Sequence, residues 1–181
     1  MNQPRNASGL FAMAFMAMTL LLGPITPGLA RDADTEEVAK ARERIAEVAK
    51  EMIKNAEAVK KDLGSDEVAE DDVALDLMRY ATFRTAGTFF STWSADKKLT
   101  RPDRPKCFLE DGAAETSLAT QIANDEFLIS FVQEGHLYEV AAGIAEQICQ
   151  TFGPQIVRPL IRQAEEGLPA GMEPATPVAT K

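Results

Sequence analysis

The sequence has few of the residues on which most enzyme mechanisms depend. Histidine occurs once in 181 residues, at His136. A Ser–His–Asp or Cys–His arrangement would have to use this residue. It follows Gly135 at the start of a predicted helix, where a polar residue is expected in any case, and no partner motif supports it. We therefore predict neither a catalytic nor a metal-binding role for His136.

Motifs for cofactor binding and catalysis are also absent. The chain has no G-x-x-x-x-G-K-[ST] phosphate loop, no G-x-G-x-x-G turn and no H-E-x-x-H zinc motif. Asp and Glu together number 28, so residue type alone leaves a paired-acid glycosidase open. These acids lie mostly on charged helix faces, however, and no aromatic cleft pattern surrounds any pair. The sequence thus predicts a protein with no catalytic residues, no cofactor and no metal site.

The first thirty residues predict a secretory signal. An apolar run of thirteen residues, 10–22, follows the positive charge of Arg5, and Pro and Gly residues break the run. Small residues then lead to Ala30, as a signal peptidase requires. An uncleaved membrane anchor is the alternative, but a membrane-spanning helix needs about 20 apolar residues. We predict cleavage after Ala30, a periplasmic or secreted location, and no stable membrane insertion of the mature chain.

The mature chain would be strongly acidic. Of the 19 basic residues only Arg5 lies in residues 1–30, so 18 bases face 28 acids, a net charge of −10. Such a surface repels nucleic acid and anionic lipid over most of its area. We therefore expect no nucleic-acid partner and predict that any partner is another envelope or periplasmic protein.

Two cysteines occur in the chain, Cys107 and Cys149. They do not form a C-x-x-C redox motif, and with a single histidine they make a poor zinc site, which normally needs four ligands. In an exported chain an even count favours one disulfide, with two free thiols or a metal pair as alternatives. The disulfide would close a loop of roughly 43 residues, to which the chain-entropy model attributes about 4 kcal/mol.

Residues 34–64 are predicted to form one long helix. Asp34 and Glu37 fit a capping box at its start, and Gly64 fits its end. Its apolar positions recur at helical spacing: Val38, Ala41, Ile45, Val48, Ala49, Met52, Ala56, Val59 and Leu63. The stripe is narrow and fits either a bundle helix laid along the core or a coiled-coil arm that grips a partner. We favour the bundle helix.

Residues 73–93 are the most aromatic part of the mature chain. They hold five of its ten aromatic residues: Tyr80, Phe83, Phe89, Phe90 and Trp93. Apolar groups occupy more than one face of this predicted helix, so it must be covered from more than one side. We predict that it is the central helix of a small bundle and that Phe89 and Trp93 belong to the core.

Residues 96–106, which we call the basic loop, stand out against the acidic remainder. Pro102 and Pro105 exclude a regular helix here. The loop carries five bases: Lys97, Lys98, Arg101, Arg104 and Lys106. One interpretation is a contact loop for an acidic partner, bound through Lys97, Lys98, Arg101 and Arg104. The alternative is that the bases neutralise an acidic cluster within residues 62–72.

Further helices are predicted after Cys107. Gly153 and Pro154 are expected to close one helix and start another. Residues 167–181 are rich in Pro, Ala and Gly and are predicted to be disordered. No internal repeat and no strand pair is evident. The sequence therefore predicts an all-α fold, a small helical bundle with a long N-terminal helix and one disulfide. Its parts are a signal peptide at 1–30, a single helical domain at 31–166 and a tail at 167–181.

Three functions fit these features. The first is an exported interaction protein without catalytic activity, of the inhibitor or immunity type, a chaperone, or an accessory of envelope assembly. The second is a carboxylate-based hydrolase of cell-wall glycan. The third is a structural coiled-coil component. We favour the first because the chain is small, helical and without catalytic motifs.

Overall fold

Two long helices form the frame of the protein. α1 spans Glu36–Leu63 and α2 spans Glu70–Ala95. The structure, a computed structural model, describes residues 35–64, 70–132 and 135–172, all of which belong to one compact unit. These residues contain no strand, so the predicted all-α fold is confirmed. The predicted signal peptide at 1–30 lies outside the described residues.

α1 and α2 pack side by side in opposite directions. Near the start of α1, Arg42 Nε donates a hydrogen bond of 3.1 Å to the carbonyl oxygen of Ser94, near the end of α2. Further along α1, Ile53 lies against Gly87, and a Cβ added to Gly87 would lie 2.7 Å from Ile53 Cγ1. Gly87 therefore permits a close approach of the two helices, which the sequence did not indicate.

The buried stripe of α1 faces α2. It consists of Val38, Ala41, Ile45, Ala49, Met52, Ala56 and Leu63. The steps of three and four average close to 3.6 residues, the period of a straight helix. The seven-residue repeat does not persist, since Val48 and Val59 are only partly buried. α1 is thus a bundle helix. Its N-cap is Thr35, whose hydroxyl accepts from the Val38 N–H; the predicted cap, Asp34, lies outside the described residues.

α2 supplies the aromatic centre of the core. Tyr80, Phe89, Phe90 and Trp93 are all 3 % exposed or less. The Phe89 ring meets its neighbours edge to face, with centroids 5.3 Å from Phe90, 6.0 Å from Trp93 and 6.2 Å from Phe108. Such contacts add to the free energy gained by burial. The predicted central helix, with Phe89 and Trp93 in the core, is therefore observed.

A second layer of shorter helices covers the antiparallel pair formed by α1 and α2. α3 spans Thr116–Ala123, α4 is a single turn at Glu126–Ile129, and α5 spans Leu137–Gln147 and packs on α3. α5 turns Ala141 and Ala145 to the core, while Val140 is 38 % exposed. The buried face of α5 is therefore built from small alanines, and Val140 lies outside it.

The helical path continues from α5 to the end of the domain. A π-helical segment, Ile148–Val157, follows α5 and leads directly into α6, Arg158–Glu166. Gly153 and Pro154 lie inside this path, so the predicted break there is wrong. The wider turn of a π-helix accommodates a residue without an N–H, whose ring would clash with the preceding turn of an α-helix.

The packed chain extends beyond α6. The guanidinium of Arg44 on α1 donates a hydrogen bond to the carbonyl oxygen of Gly167. Leu168 and Met172 are partly buried against the core, and Pro169 is buried. Of the tail predicted at 167–181, these first residues therefore pack on the domain, and 173–181 lie outside the described residues.

Candidate functional site

The predicted disulfide between Cys107 and Cys149 is confirmed, with a Cα–Cα distance of 5.0 Å. Both cysteines are 1 % exposed or less. Cys107 lies in a short 3-10 turn, Lys106–Phe108, directly after the basic loop, and Cys149 lies in the π-helical segment. The disulfide therefore fixes the C-terminal end of the basic loop to the helical layer.

Arg158, at the start of α6, supports the same region. Its guanidinium donates to the carbonyl oxygens of Cys107 and Glu110 and forms an ion pair with Asp111. Its side chain is 11 % exposed. No sequence pattern marked Arg158, because its partners lie about 50 positions away and are mostly main-chain atoms.

The N-terminal end of the basic loop is fixed by the core. Trp93 Nε1 donates a hydrogen bond of 2.9 Å to the carbonyl oxygen of Leu99, whose side chain is 3 % exposed. The Asp96 carboxylate accepts from the backbone N–H groups of Lys98 and Thr100, at 2.9 and 3.0 Å. The hydrogen bond from Lys98 is the main cause that holds the pKa of Asp96 below its usual value.

The rest of the loop is bound by two acids. Arg101 forms an ion pair with Glu165 on α6. Glu115, the N-cap of α3, accepts from the Lys106 N–H at 2.9 Å and from the Ser117 N–H at 3.0 Å. Although burial opposes ionisation of Glu115, the hydrogen bonds from Ser117 and Lys106 lower its pKa. The basic loop is therefore held by α2, α3, α6 and the disulfide.

Three of the four predicted binding residues remain accessible. Lys97, Lys98 and Arg104 are exposed. Arg101 differs, since its side chain is only 18 % exposed and is paired with Glu165. The structure thus separates Arg101, an internal contact, from the other three predicted binding residues, which face solvent.

The acidic cluster does not adjoin these bases. Its members within the described ranges, Asp62, Glu70, Asp71 and Asp72, lie where α1 ends and α2 begins. Lys97 and Lys98 follow the opposite end of α2, a helix of 26 residues that is about 39 Å long. Arg104 lies nearer the middle of this helix, where it lines a cavity together with Thr85. For Lys97 and Lys98, this distance does not support the alternative of neutralisation by these members of the cluster.

A cavity of about 180 Å³ lies between α2 and the basic loop. Its lining comes from three parts of the chain: Thr85, Thr88, Phe89, Thr92, Pro102, Arg104, Pro105 and Gln121. Arg104 is the one charged side chain in this lining. Apart from the helical spacing of the three threonines, no sequence signal indicated this cavity.

Other candidate chemistry is not assembled in the described part of the chain. His136 is exposed at the start of α5, and its ring lies 3.2 Å from Glu139, which is also exposed. No group of three or more His, Cys, Asp or Glu residues within 35–64, 70–132 and 135–172 is arranged to hold a metal ion. Across the same ranges, no helix is both long and apolar enough to cross a membrane.

Comparison of the chain with protein-family models, with curated proteins and with solved structures finds no match.

Proposed function

We propose that this protein is an exported, non-catalytic interaction protein that uses the basic loop to bind an acidic partner in the periplasm or envelope. The observation that carries the proposal is the exposure of Lys97 and Lys98 on a loop whose backbone is fixed on both sides. The partner would be an inhibited enzyme, a chaperone client or a component of an envelope assembly.

A fixed loop suits recognition because little conformational entropy is lost when it docks. Leu99 is anchored to Trp93, and Cys107 is anchored to Cys149, so the lysines are presented from a loop with both ends held. Positive charge on an otherwise acidic protein also orients an approaching acidic partner towards this loop. Association should therefore be faster at low salt than at high salt.

The proposed location rests on the disulfide. Structural disulfides persist in oxidising compartments and are rare in the cytosol. The Cys107–Cys149 bond therefore supports export, which the apolar run in residues 10–22 also predicts.

The carboxylates near the loop do not favour glycan hydrolysis. Glu115 accepts backbone hydrogen bonds, and Glu165 is paired with Arg101. α1 likewise offers little support for a coiled-coil component, because its apolar stripe is covered by α2.

Site-specific crosslinking in the native envelope tests the proposal. A photo-reactive residue at position 100, on the exposed part of the loop, should crosslink a defined acidic protein, whereas one at position 51 on α1 should not. The variant Lys97→Glu with Lys98→Glu should abolish this crosslink. The matched control, Lys50→Glu with Lys54→Glu, makes the same charge change on the exposed side of α1 and should retain it. An unchanged crosslink in the loop variant would overturn the proposal.

A further inference from the structure

The cavity between α2 and the basic loop combines a cation, hydrogen-bond acceptors and an apolar wall. From this combination we infer that it binds the C-terminal residue of a partner chain, through the α-carboxylate and the small apolar side chain of that residue. That the carboxylate belongs to a partner chain rests on the proposed function, whereas the carboxylate site itself does not.

Arg104 supplies the positive charge. Its side chain is exposed and lines the cavity. Among the described residues none forms an ion pair with Arg104, although its charge contributes to lowering the pKa of Glu115. The oxygens of Glu115 are already engaged by the Lys106 and Ser117 N–H groups. The guanidinium therefore retains donors for a carboxylate, with which it forms strong, directed hydrogen bonds.

The threonines supply acceptors. The hydroxyls of Thr85, Thr88 and Thr92 donate to the carbonyl oxygens four residues earlier, at 2.5, 3.0 and 2.9 Å. Because each hydroxyl hydrogen is used within the helix, each oxygen offers its lone pairs to a ligand. A row of acceptors on one face of α2 selects a ligand that has an N–H donor beside its carboxylate.

The remaining lining supplies an apolar wall and limits the size of the ligand. Phe89, Pro102 and Pro105 contribute apolar surface. The volume of about 180 Å³ is smaller than the roughly 300 Å³ at which pockets for drug-sized ligands begin. The cavity therefore fits a single residue and not an extended segment.

A chain-terminal residue combines the three properties that the lining selects. It has a carboxylate for Arg104, a backbone N–H for a threonine oxygen and a side chain for Phe89. A free amino acid shares the carboxylate and the side chain, but it carries an ammonium group in place of the neutral amide N–H. That second positive charge near Arg104 disfavours it, so the amide-bearing terminus is the better fit.

The cavity is also fixed before binding. Arg101 and Lys106, on either side of its loop residues, are held by Glu165 and Glu115. Pro102 and Pro105 restrict the intervening backbone, and Pro105 is buried. A site that needs little ordering loses less free energy when a ligand binds.

Nitrogen-15 NMR titration of the mature protein with N-acetyl-L-leucine tests the site. Saturable shifts should appear at the amides of Thr85, Thr88 and Gln121, with weak affinity because the ligand is small. N-acetyl-L-leucinamide, which has an amide in place of the carboxylate, should bind roughly tenfold more weakly. The variant Arg104→Gln should bind N-acetyl-L-leucine more weakly by roughly the same factor. Thr88→Val, which removes an acceptor without changing shape, should also weaken binding. The control Lys50→Gln, on the exposed side of α1, should bind normally.

The outcomes separate the carboxylate site from its source. The carboxylate site is wrong if no saturable shift occurs. It is also wrong if N-acetyl-L-leucinamide binds as tightly as N-acetyl-L-leucine and if Arg104→Gln binds N-acetyl-L-leucine as tightly as the wild type does. If free L-leucine binds more tightly than its N-acetyl form, a chain terminus is not the source. If the probe binds but Lys97→Glu with Lys98→Glu leaves partner crosslinking unchanged, the site stands and the proposed function fails. If that variant abolishes crosslinking and N-acetyl-L-leucine does not bind, the proposed function stands and the carboxylate site is wrong.

Discussion

Trp93 in the centre of the core holds Leu99 in the basic loop, through a hydrogen bond of 2.9 Å from the indole N–H to the Leu99 carbonyl oxygen. Leu99 has a φ of 52°, a left-handed conformation that costs a non-glycine residue about 1 kcal/mol or more. Its buried side chain and the bond from Trp93 offset this cost. The shape of the basic loop is therefore determined by the core, although the loop itself faces solvent.

Trp93→Phe should destabilise the protein and loosen the loop. The smaller ring leaves a cavity, and the Leu99 carbonyl loses its indole donor, so we expect the free energy of unfolding to fall by about 2–4 kcal/mol. Hydrogen exchange should accelerate at residues 97–100 more than in α1. Urea denaturation with exchange mass spectrometry measures both. Equal acceleration throughout the chain would show that Trp93 does not specifically hold the loop.

Gly87 and Gly143 form a matched pair of helical glycines with opposite surroundings. A Cβ on Gly87 would lie 2.7 Å from Ile53 Cγ1 and 3.2 Å from the Ile53 backbone nitrogen, while nothing lies within 4 Å of one on Gly143. Gly87→Ala should therefore lower the free energy of unfolding by about 1–3 kcal/mol through overpacking. Gly143→Ala should raise it by about 0.5–1 kcal/mol, because alanine is the better helix former. Thermal unfolding of both variants decides; a stabilised Gly87→Ala would contradict the close approach of α1 and α2.

The long helices were predictable because burial imposes a helical period over many turns. The stripe from Val38 to Leu63 and the aromatic faces of α2 each repeat the signal, so one misplaced residue does not alter the prediction. Signals that rest on one or two residues predicted the structure less reliably. Gly153 and Pro154 indicated a break, yet both lie within the π-helical segment. There a Cβ added to Gly153 would lie only 2.9 Å from the Ile148 carbonyl oxygen, so the glycine leaves room for the backbone of this segment.

The candidate site was predicted only in part. A concentration of bases in one segment is visible in a linear sequence, and Lys97, Lys98 and Arg104 are exposed as a contact loop requires. The pairing of Arg101 with Glu165 joins residues 64 positions apart, and the cavity joins α2, the loop and α3. No local pattern records which distant segments meet, so these features emerge only from the fold.

The disulfide should contribute about as much to stability as a large buried side chain. Cys107→Ala with Cys149→Ala reopens a loop of roughly 43 residues, for which the chain-entropy model gives an upper value of about 4 kcal/mol. Because Cys107 ends the basic loop, hydrogen exchange should also increase at residues 106–110 and in the segment Ile148–Val157. Urea denaturation of the double variant beside the oxidised protein measures the difference. A loss below about 1 kcal/mol would show that packing alone holds the two segments.

Tyr80 and Asp125 should make stability depend on pH in the alkaline range. The Tyr80 hydroxyl donates to Asp125 at 3.2 Å, and Asp125 also accepts from the N–H groups that begin α4. Burial, followed by the negative charge of Asp125, raises the pKa of Tyr80 from 10.0 to about 12. The folded state therefore keeps its proton where the unfolded state has lost it. The resulting stabilisation is complete below pH 10 and is lost as the pH rises through about 12.

Tyr80→Phe removes this linkage and isolates its effect. At neutral pH the variant should lose about 1 kcal/mol, the net value of a hydrogen bond. Above pH 10 the wild type loses the stabilisation that comes from the protonated Tyr80 hydroxyl, whereas the phenylalanine variant has no such group to titrate. The difference between their free energies of unfolding should therefore narrow towards pH 12. Comparing the two proteins at each pH cancels the titration of all other groups. Tyr138→Phe is the matched control, because Tyr138 is 55 % exposed. A gap that stays constant from pH 9 to pH 12 would mean that Tyr80 ionises equally easily in both states, and that its contact with Asp125 does not tie α2 to α4.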